Sequence, residues 1–259
     1  TDRLARSGYE STKTSAALGT SFEQYRDIFI SPKLAASHEK VSTDSTASSA
    51  LQKMDGTYSA LDFGYGISYD KRNQKFQPTD GFITQFNQSL PLYADTPSLM
   101  HTISYAKYKT FTEDVVGSVK FLGQNITSVN SDKDVRISDR LYLPTRRIRG
   151  FQKGKIGPKD GDDHVGGNYA AALNFSTDIP FIFQNLQSTD FKFFIDTANV
   201  WGVDYSDNVD GGSKIRSSTG ISVDWWTPIG PLNFSLAHPI TKHNSDKTET
   251  FRFNLGTTF

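Results

Sequence analysis

Phe251-Arg252-Phe253-Asn254-Leu255-Gly256-Thr257-Thr258-Phe259 reads as a β-strand with one apolar and one polar face. Phe251, Phe253, Leu255, Thr257 and Phe259 fall on one side, and Arg252, Asn254, Gly256 and Thr258 on the other. Side chains change face at every residue of a strand, so this period of two excludes an amphipathic helix. The pattern extends backwards. Leu232, Phe234 and Leu236 alternate with Asn233, Ser235 and Ala237. Ile215, Thr219, Ile221, Val223 and Trp225 oppose Arg216, Ser218, Gly220, Ser222 and Asp224. Tyr169, Ala171, Leu173 and Phe175 oppose Asn168, Asn174 and Ser176, and Phe82, Phe86 and Leu90 oppose Gln85, Asn87 and Ser89. Leu61, Phe63, Tyr65, Ile67 and Tyr69 oppose Asp62, Gly64, Gly66, Ser68 and Asp70. With weaker strands near 12–22, 27–39, 98–111, 115–125 and 189–200, about eleven strands are expected.

The two faces decide between β classes. A soluble sandwich turns Lys and Glu to water and packs Val, Ile and Leu between its sheets. Here the polar face is small and mostly uncharged (Gly, Ser, Asn, Ala), which suits a crowded, wet lumen. The apolar face is rich in Phe and Tyr, and Trp201, Trp225 and Trp226 stand at strand ends, as in the interfacial girdles of a membrane barrel. The expected fold is therefore an all-β, antiparallel transmembrane β-barrel forming one domain over residues 1–259, rather than a soluble β protein.

Composition agrees. The 259 residues include 19 Phe, 11 Tyr and 3 Trp, yet no window holds the roughly 18 apolar residues of a membrane helix. Lys and Arg total 28, as do Asp and Glu, so the basic excess of a nucleic-acid binder is missing. Cysteine is absent. The five His, at 38, 101, 164, 238 and 243, lack metal-ligand spacing, and no nucleophile–base pattern or phosphate loop is present. Asp160, Asp162 and Asp163 read as a solvated loop. No catalytic activity, metal or cofactor is expected.

Connections alternate in length. Residues 239–248, 202–213 and 42–57 are long and polar, whereas 227–230 and 112–114 are tight. Outer-membrane barrels have short turns on the periplasmic side and long loops outside, which puts the C-terminus on the periplasmic side. The segment from about 127 to 166 has no clear strand and carries Arg136, Arg140, Arg146, Arg147, Arg149, Lys153, Lys155 and Lys159. A loop of this length is usually functional or disordered.

Within it lies Ile148-Arg149-Gly150-Phe151, followed by Gly157-Pro158, on the longest loop and five strands from the C-terminus. This resembles the lid-loop motif [VI]-R-G-[FY] of the BamA family, the outer-membrane insertases also called the bacterial surface antigen family. Phe76-Gln77-Pro78-Thr79-Asp80-Gly81 and Thr227-Pro228-Ile229-Gly230-Pro231-Leu232 look like turns of that family, and residues 251–259 look like its terminal β-signal.

The resemblance implies strands six to sixteen of a sixteen-stranded barrel, without the first strands and the periplasmic POTRA domains. It implies outer-membrane protein assembly and insertion through a lateral seam and a lid loop folded into the lumen. The implied partners are outer-membrane lipids, unfolded outer-membrane proteins as substrates and accessory lipoproteins. The alternative is a protein-translocating outer-membrane pore of the two-partner secretion type, which shares the lid motif. The family also implies that Arg149 meets Phe194 and Asp196 in the lumen, and that Phe251, Phe253, Leu255, Gly256 and Phe259 form the β-signal and seam. Two positions depart from the family pattern. Ala198 stands where Gly is usual, and Asn174 where an acidic residue is common, so the lid rests on one carboxylate rather than two.

Overall fold

The computed structural model describes residues 2–6, 8–179, 188–227 and 230–255. The strands are β1 (Asp2–Arg6), β2 (Tyr9–Gly19), β3 (Phe22–Tyr25), β4 (Ile28–Thr43), β5 (Gly56–Asp70), β6 (Gly81–Ala94), β7 (Ser98–Thr112) and β8 (Val115–Ser128). They continue with β9 (Lys159–Asp160), β10 (Asp163–His164), β11 (Tyr169–Asp178), β12 (Thr189–Trp201), β13 (Arg216–Thr227), β14 (Gly230–Thr241) and β15 (Phe251–Leu255). A meander runs β1-β2-β4-β5-β6-β7-β8-β11-β12-β13-β14-β15, with β3 paired to β4 off this path. Every pairing is antiparallel. Among the described residues β1 and β15 are the two ends of this sheet and do not pair with each other.

The expected strands are present, with two corrections. Asp2–Arg6 is a further strand paired to β2; its apolar residues, Leu4 and Ala5, are adjacent, so it carries no alternation to betray it. The segment expected at 12–22 is split into β2 and β3, both of which use β4 as partner.

The alternation maps onto the two faces of the wall. In β15, Phe251, Phe253 and Leu255 are exposed and Arg252 and Asn254 are half-buried; Gly256 and Phe259 lie outside the described residues. Outward rings meet across strands. Tyr69 and Phe82 contact edge to face at 5.5 Å, Phe234 and Phe253 lie 5.1 Å apart, and Tyr169 stacks on Trp201 at 5.5 Å. Such pairs reinforce a sheet beyond the area they cover. Trp225 is exposed as expected of a girdle, but Trp226 is not a girdle residue. It shares the lumenal parity of Asp224, donates its indole N–H to Asp190 Oδ2 at 3.1 Å, and meets Phe76 edge to face at 4.9 Å. Phe76 belongs to the β5–β6 turn, so that turn reaches across one mouth of the wall.

The loop between β8 and β11 folds back inside the curved sheet. It contains two short 3-10 turns, Ile137–Asp139 and Thr145–Arg147, and the ribbon β9–β10. Lid residues Val135, Leu141, Leu143, Ile148, Phe151 and Ile156 pack on wall residues Leu122, Ile126, Ala170, Ala172, Ala198 and Val200. This is the larger buried apolar cluster, so the lid supplies the inner half of the core that the wall alone lacks. A second cluster joins Tyr9, Val41, Leu51, Ile137, Val165 and Val209, drawn from wall, lid and neighbouring loops.

Candidate functional site: the lid tip in the lumen

Residues on successive strands share one row through their pairing register. Lys120 faces Asn174, Asn174 faces Asp196, and Asp196 faces Ser218. All lie on the lumenal side, and the lid tip sits over them.

Arg149 is the centre of the contact. Its guanidinium forks onto Asp196, with Nε to Oδ2 and Nη2 to Oδ1 both at 2.7 Å. Its backbone N–H donates to the same carboxylate at 3.1 Å, and its carbonyl accepts from Ser218 Oγ at 2.5 Å. The cation lies 3.5 Å from the centroid of the Phe194 ring. Phe194 and Asp196 are both fully buried, at 0% exposure. Asp196 therefore depends on Arg149 and on Asn174 Nδ2, which donates to Oδ1 at 2.8 Å. Asn174 also donates to the Arg147 carbonyl at 2.9 Å and accepts from Arg147 Nη1 at 3.3 Å. Burial pushes the Arg147 guanidinium below its ordinary value, with Arg146 adding to the effect.

Two glycines make this approach possible. Gly150 has φ +88, a left-handed conformation that costs a residue with a Cβ. At Gly220 a Cβ would stand 2.0 Å from the Leu236 carbonyl oxygen and 2.8 Å from Phe194 Cζ. The bare backbone there gives the Phe194 ring the room in which Arg149 stacks on it.

The expected set Ile148, Arg149, Gly150, Phe151, Phe194 and Asp196 is thus brought together. Ile148 and Phe151 are buried apolar anchors on either side of the arginine. Ala198 packs in the same cluster, so the methyl group that departs from the family pattern fills space against the lid. The terminal-strand residues Phe251, Phe253 and Leu255 point away from the lumen and do not touch this site.

Sequence reading missed the other pins. Arg136 pairs with Glu39 of β4 at 3.1 Å and lies 4.7 Å from the Tyr58 ring. Arg140 pairs with Asp204 and donates to Asn168 Oδ1 at 2.9 Å. Burial pushes Asp204 up, but Arg140 and the Val135 N–H outweigh it and hold the carboxyl below its usual range. Arg216 forks onto Asp246, with side-chain exposures of 2% and 0%. The basic loop was visible in sequence and its partners were not, because they stand on strands and loops far along the chain.

A family model for the Omp85 superfamily domain matches residues 2–259. The chain belongs to the Omp85 superfamily. Its Omp85 relatives include the outer membrane protein assembly factor BamA of Neisseria meningitidis serogroup B, 28% identical over 231 residues, covering 75% of this chain and 28% of that protein. BamA of Neorickettsia risticii is 25% identical over 218 residues, covering 82% and 29%. The chain thus spans less than a third of the length of these relatives. Among solved structures, BamA from Haemophilus ducreyi lacking POTRA domains 1-3 superposes with a TM-score of 0.82 at 24% identity, over 95% of this chain and 53% of that one. CdiB from Acinetobacter baumannii gives 0.60 at 12% identity, over 95% and 42%. This Omp85 chain is a C-terminal barrel portion of the BamA type.

Proposed function

We propose that this barrel portion serves a protein that assembles and inserts β-barrel proteins into the bacterial outer membrane. The observation that carries the reading is the seating of the lid. Its apolar residues fill the inner side of the wall, and Arg149 forks onto the fully buried Asp196. A lumen occupied in this way favours a substrate path along the wall rather than through it. A seam that opens between strands exposes unpaired backbone groups, which are a template for an added strand. The substrates are unfolded outer-membrane proteins, and the surroundings are outer-membrane lipids and accessory lipoproteins. The C-terminus is read as periplasmic from the alternation of tight and long connections. The work is done by strand pairing and lipid contact, without covalent catalysis.

The alternative is a protein-translocating pore of the two-partner secretion type, which the fold likeness to CdiB supports. The full-length protein, reconstituted in liposomes with its lipoproteins, separates the two. An insertase converts an added unfolded outer-membrane protein into a heat-modifiable, SDS-resistant band. A pore gives polypeptide-dependent conductance and no such conversion.

A further inference from the structure

The lumenal row that carries Asn174 and Asp196 begins at Lys120 on β8. Leu122 and Ile126 of that strand are buried under the lid, so the period of two puts Lys120 and Ser118 on the same lumenal side. Across the pairing with β7, Ala106 faces Lys120 and Tyr108 faces Ser118. The small Ala106 lets the lysine chain lean toward Tyr108, and its ammonium stands 5.6 Å from the centroid of that ring. On the other side, Ser118 and Ser176 share a hydrogen bond at 2.9 Å. The floor from β7 to β11 is therefore an ammonium group set among hydroxyls.

The lid adds Arg147 from above. Its Nη1 reaches Asn174 Oδ1 at 3.3 Å, beyond the usual range for such a bond. Its other guanidinium N–H groups meet no acceptor among the described residues. The Lys120 ammonium likewise makes no hydrogen bond or ion pair among the described residues, and the Tyr108 hydroxyl makes no hydrogen bond there. All three side chains are half-buried. Asn174 ties the two cations together, as the pairing neighbour of Lys120 and the hydrogen-bond partner of Arg147.

The carboxylates nearby are already committed. The charges that act on Lys120 are the cations Lys192, Arg147 and Arg149, against the single carboxylate of Asp224. Asp224 accepts from Lys192 at 2.8 Å and from Asn233 at 2.6 Å. Asp196 is taken by the Arg149 fork and by Asn174. Asp178, which faces Lys192 across the β11–β12 pairing, accepts the Val116 N–H at 3.0 Å. Lys120 and Arg147 thus share a partly desolvated space as two like charges, where repulsion is stronger than in water. Donors gathered in this way fit an oxyanion, which a guanidinium and an ammonium bind through charge-assisted hydrogen bonds.

We propose that Arg147 of the lid, Lys120 of the wall and the Tyr108 hydroxyl form an oxyanion-binding site under the lid tip, which takes a carboxylate or phosphate group. Arg147 comes from the lid and Lys120 from β8, so a bound oxyanion bridges the two and locks the lid onto the wall. The site does not depend on the assembly reading, since its charges and hydroxyls are the same whatever passes along the barrel.

The test is amide hydrogen exchange on the full-length protein in lipid nanodiscs, with inorganic phosphate replacing chloride at constant ionic strength. The reporters are the Arg147 and Arg149 amides, which donate to the Pro144 carbonyl and to Asp196 in the seated lid. A ligand that binds only the seated lid, at about ten times its dissociation constant, slows their exchange by about tenfold. That gain should saturate, and the wall at 83–89 should not share it. An equal gain in lid and wall overturns the site, because excluded salts stabilise a whole fold without binding it. No gain in either also overturns it. Lys120→Gln should raise the phosphate needed by about tenfold or more, and an unchanged phosphate dependence in that variant overturns the site. Ser118→Asp sets a carboxylate on the same floor and should protect the reporters without phosphate. A full phosphate response in Ser118→Asp overturns the site as well. Oligo-glutamate and acetate then identify the source of the oxyanion. Stronger protection by the peptide at equal carboxylate concentration supports the site with a polypeptide side chain as occupant, and equal protection supports it with a free ion. Protection by neither the two carboxylate probes nor phosphate overturns it. No readout needs assembly activity, so a failure of the insertase reading shows separately, as a protein that takes up the oxyanion and assembles nothing.

Discussion

Arg149 and Asp196 form a two-pronged ion pair inside the barrel wall, both prongs at 2.7 Å, with the carboxylate fully enclosed and the guanidinium 15% exposed. Breaking a buried pair costs more than making it gains, because the surviving charge keeps its desolvation and loses its partner. Arg149→Ala should therefore destabilise the lid seat by about 3–5 kcal/mol. Arg149→Lys keeps the charge but loses the fork and should fall between wild type and Ala. Limited proteolysis of the lid in folded barrels reads the order. Equal cleavage of all three proteins would mean that the pair does not hold the lid.

Phe194 adds a ring face to the same cation at 3.5 Å. In a desolvated site this contact is worth about 2 kcal/mol. Phe194→Leu keeps most of the apolar volume and removes the π face, so it should lose about that amount. A double-mutant cycle with Arg149→Ala isolates it. Additive losses would show that the ring acts by packing alone.

Gly150 combines a φ of +88 with Ala237 Cβ and Ser218 Cβ each 3.3 Å from where its own Cβ would stand. Gly150→Ala should cost about 1–2 kcal/mol from the left-handed backbone alone, and the crowding adds to it. The expected outcome is a more cleavable lid with the Arg149 and Asp196 side chains both intact. Unchanged cleavage would mean that the backbone relaxes at no cost.

His164 ties the lid ribbon to the terminal connection through Nε2, which donates to the Ser245 carbonyl at 3.1 Å, while its buried Nδ1 has no hydrogen-bond partner. Burial lowers its pKa, only partly offset by Ser245, with Lys155 and Lys159 lowering it further and Asp246 opposing them. Above about pH 6.5 the ring is neutral folded and unfolded, and no penalty arises. As pH falls below that value the unfolded chain takes up a proton that the folded chain refuses, so this contribution to stability is lost until the folded ring protonates as well. Amide exchange at 163–165 and 243–246 should accelerate between about pH 7 and 5.5, and His164→Gln should flatten the profile. A flat wild-type profile would remove His164 from the account.

The sequence by itself determined the wall. Alternation such as Phe251, Phe253 and Leu255 against Arg252 and Asn254 is a local consequence of strand geometry and the choice of solvent for each face, so neighbouring residues carry all the information. The motif at 148–151 and its partner strand at 193–198 were legible through the resemblance to a known family, and strand parity added only that Phe194 and Asp196 face the lumen. Tertiary structure alone decided what faces what across the lumen. Arg216 meets Asp246, Arg136 meets Glu39 and Trp226 meets Phe76 only because the sheet curls and the lid folds inside it. Nothing local in the chain encodes that closeness. The same holds for the inward turn before Thr250, where the chain leaves β14 and residues 247–249 pair with the lid. Strand periodicity predicts the wall, and contacts between distant segments determine what the lid meets inside it.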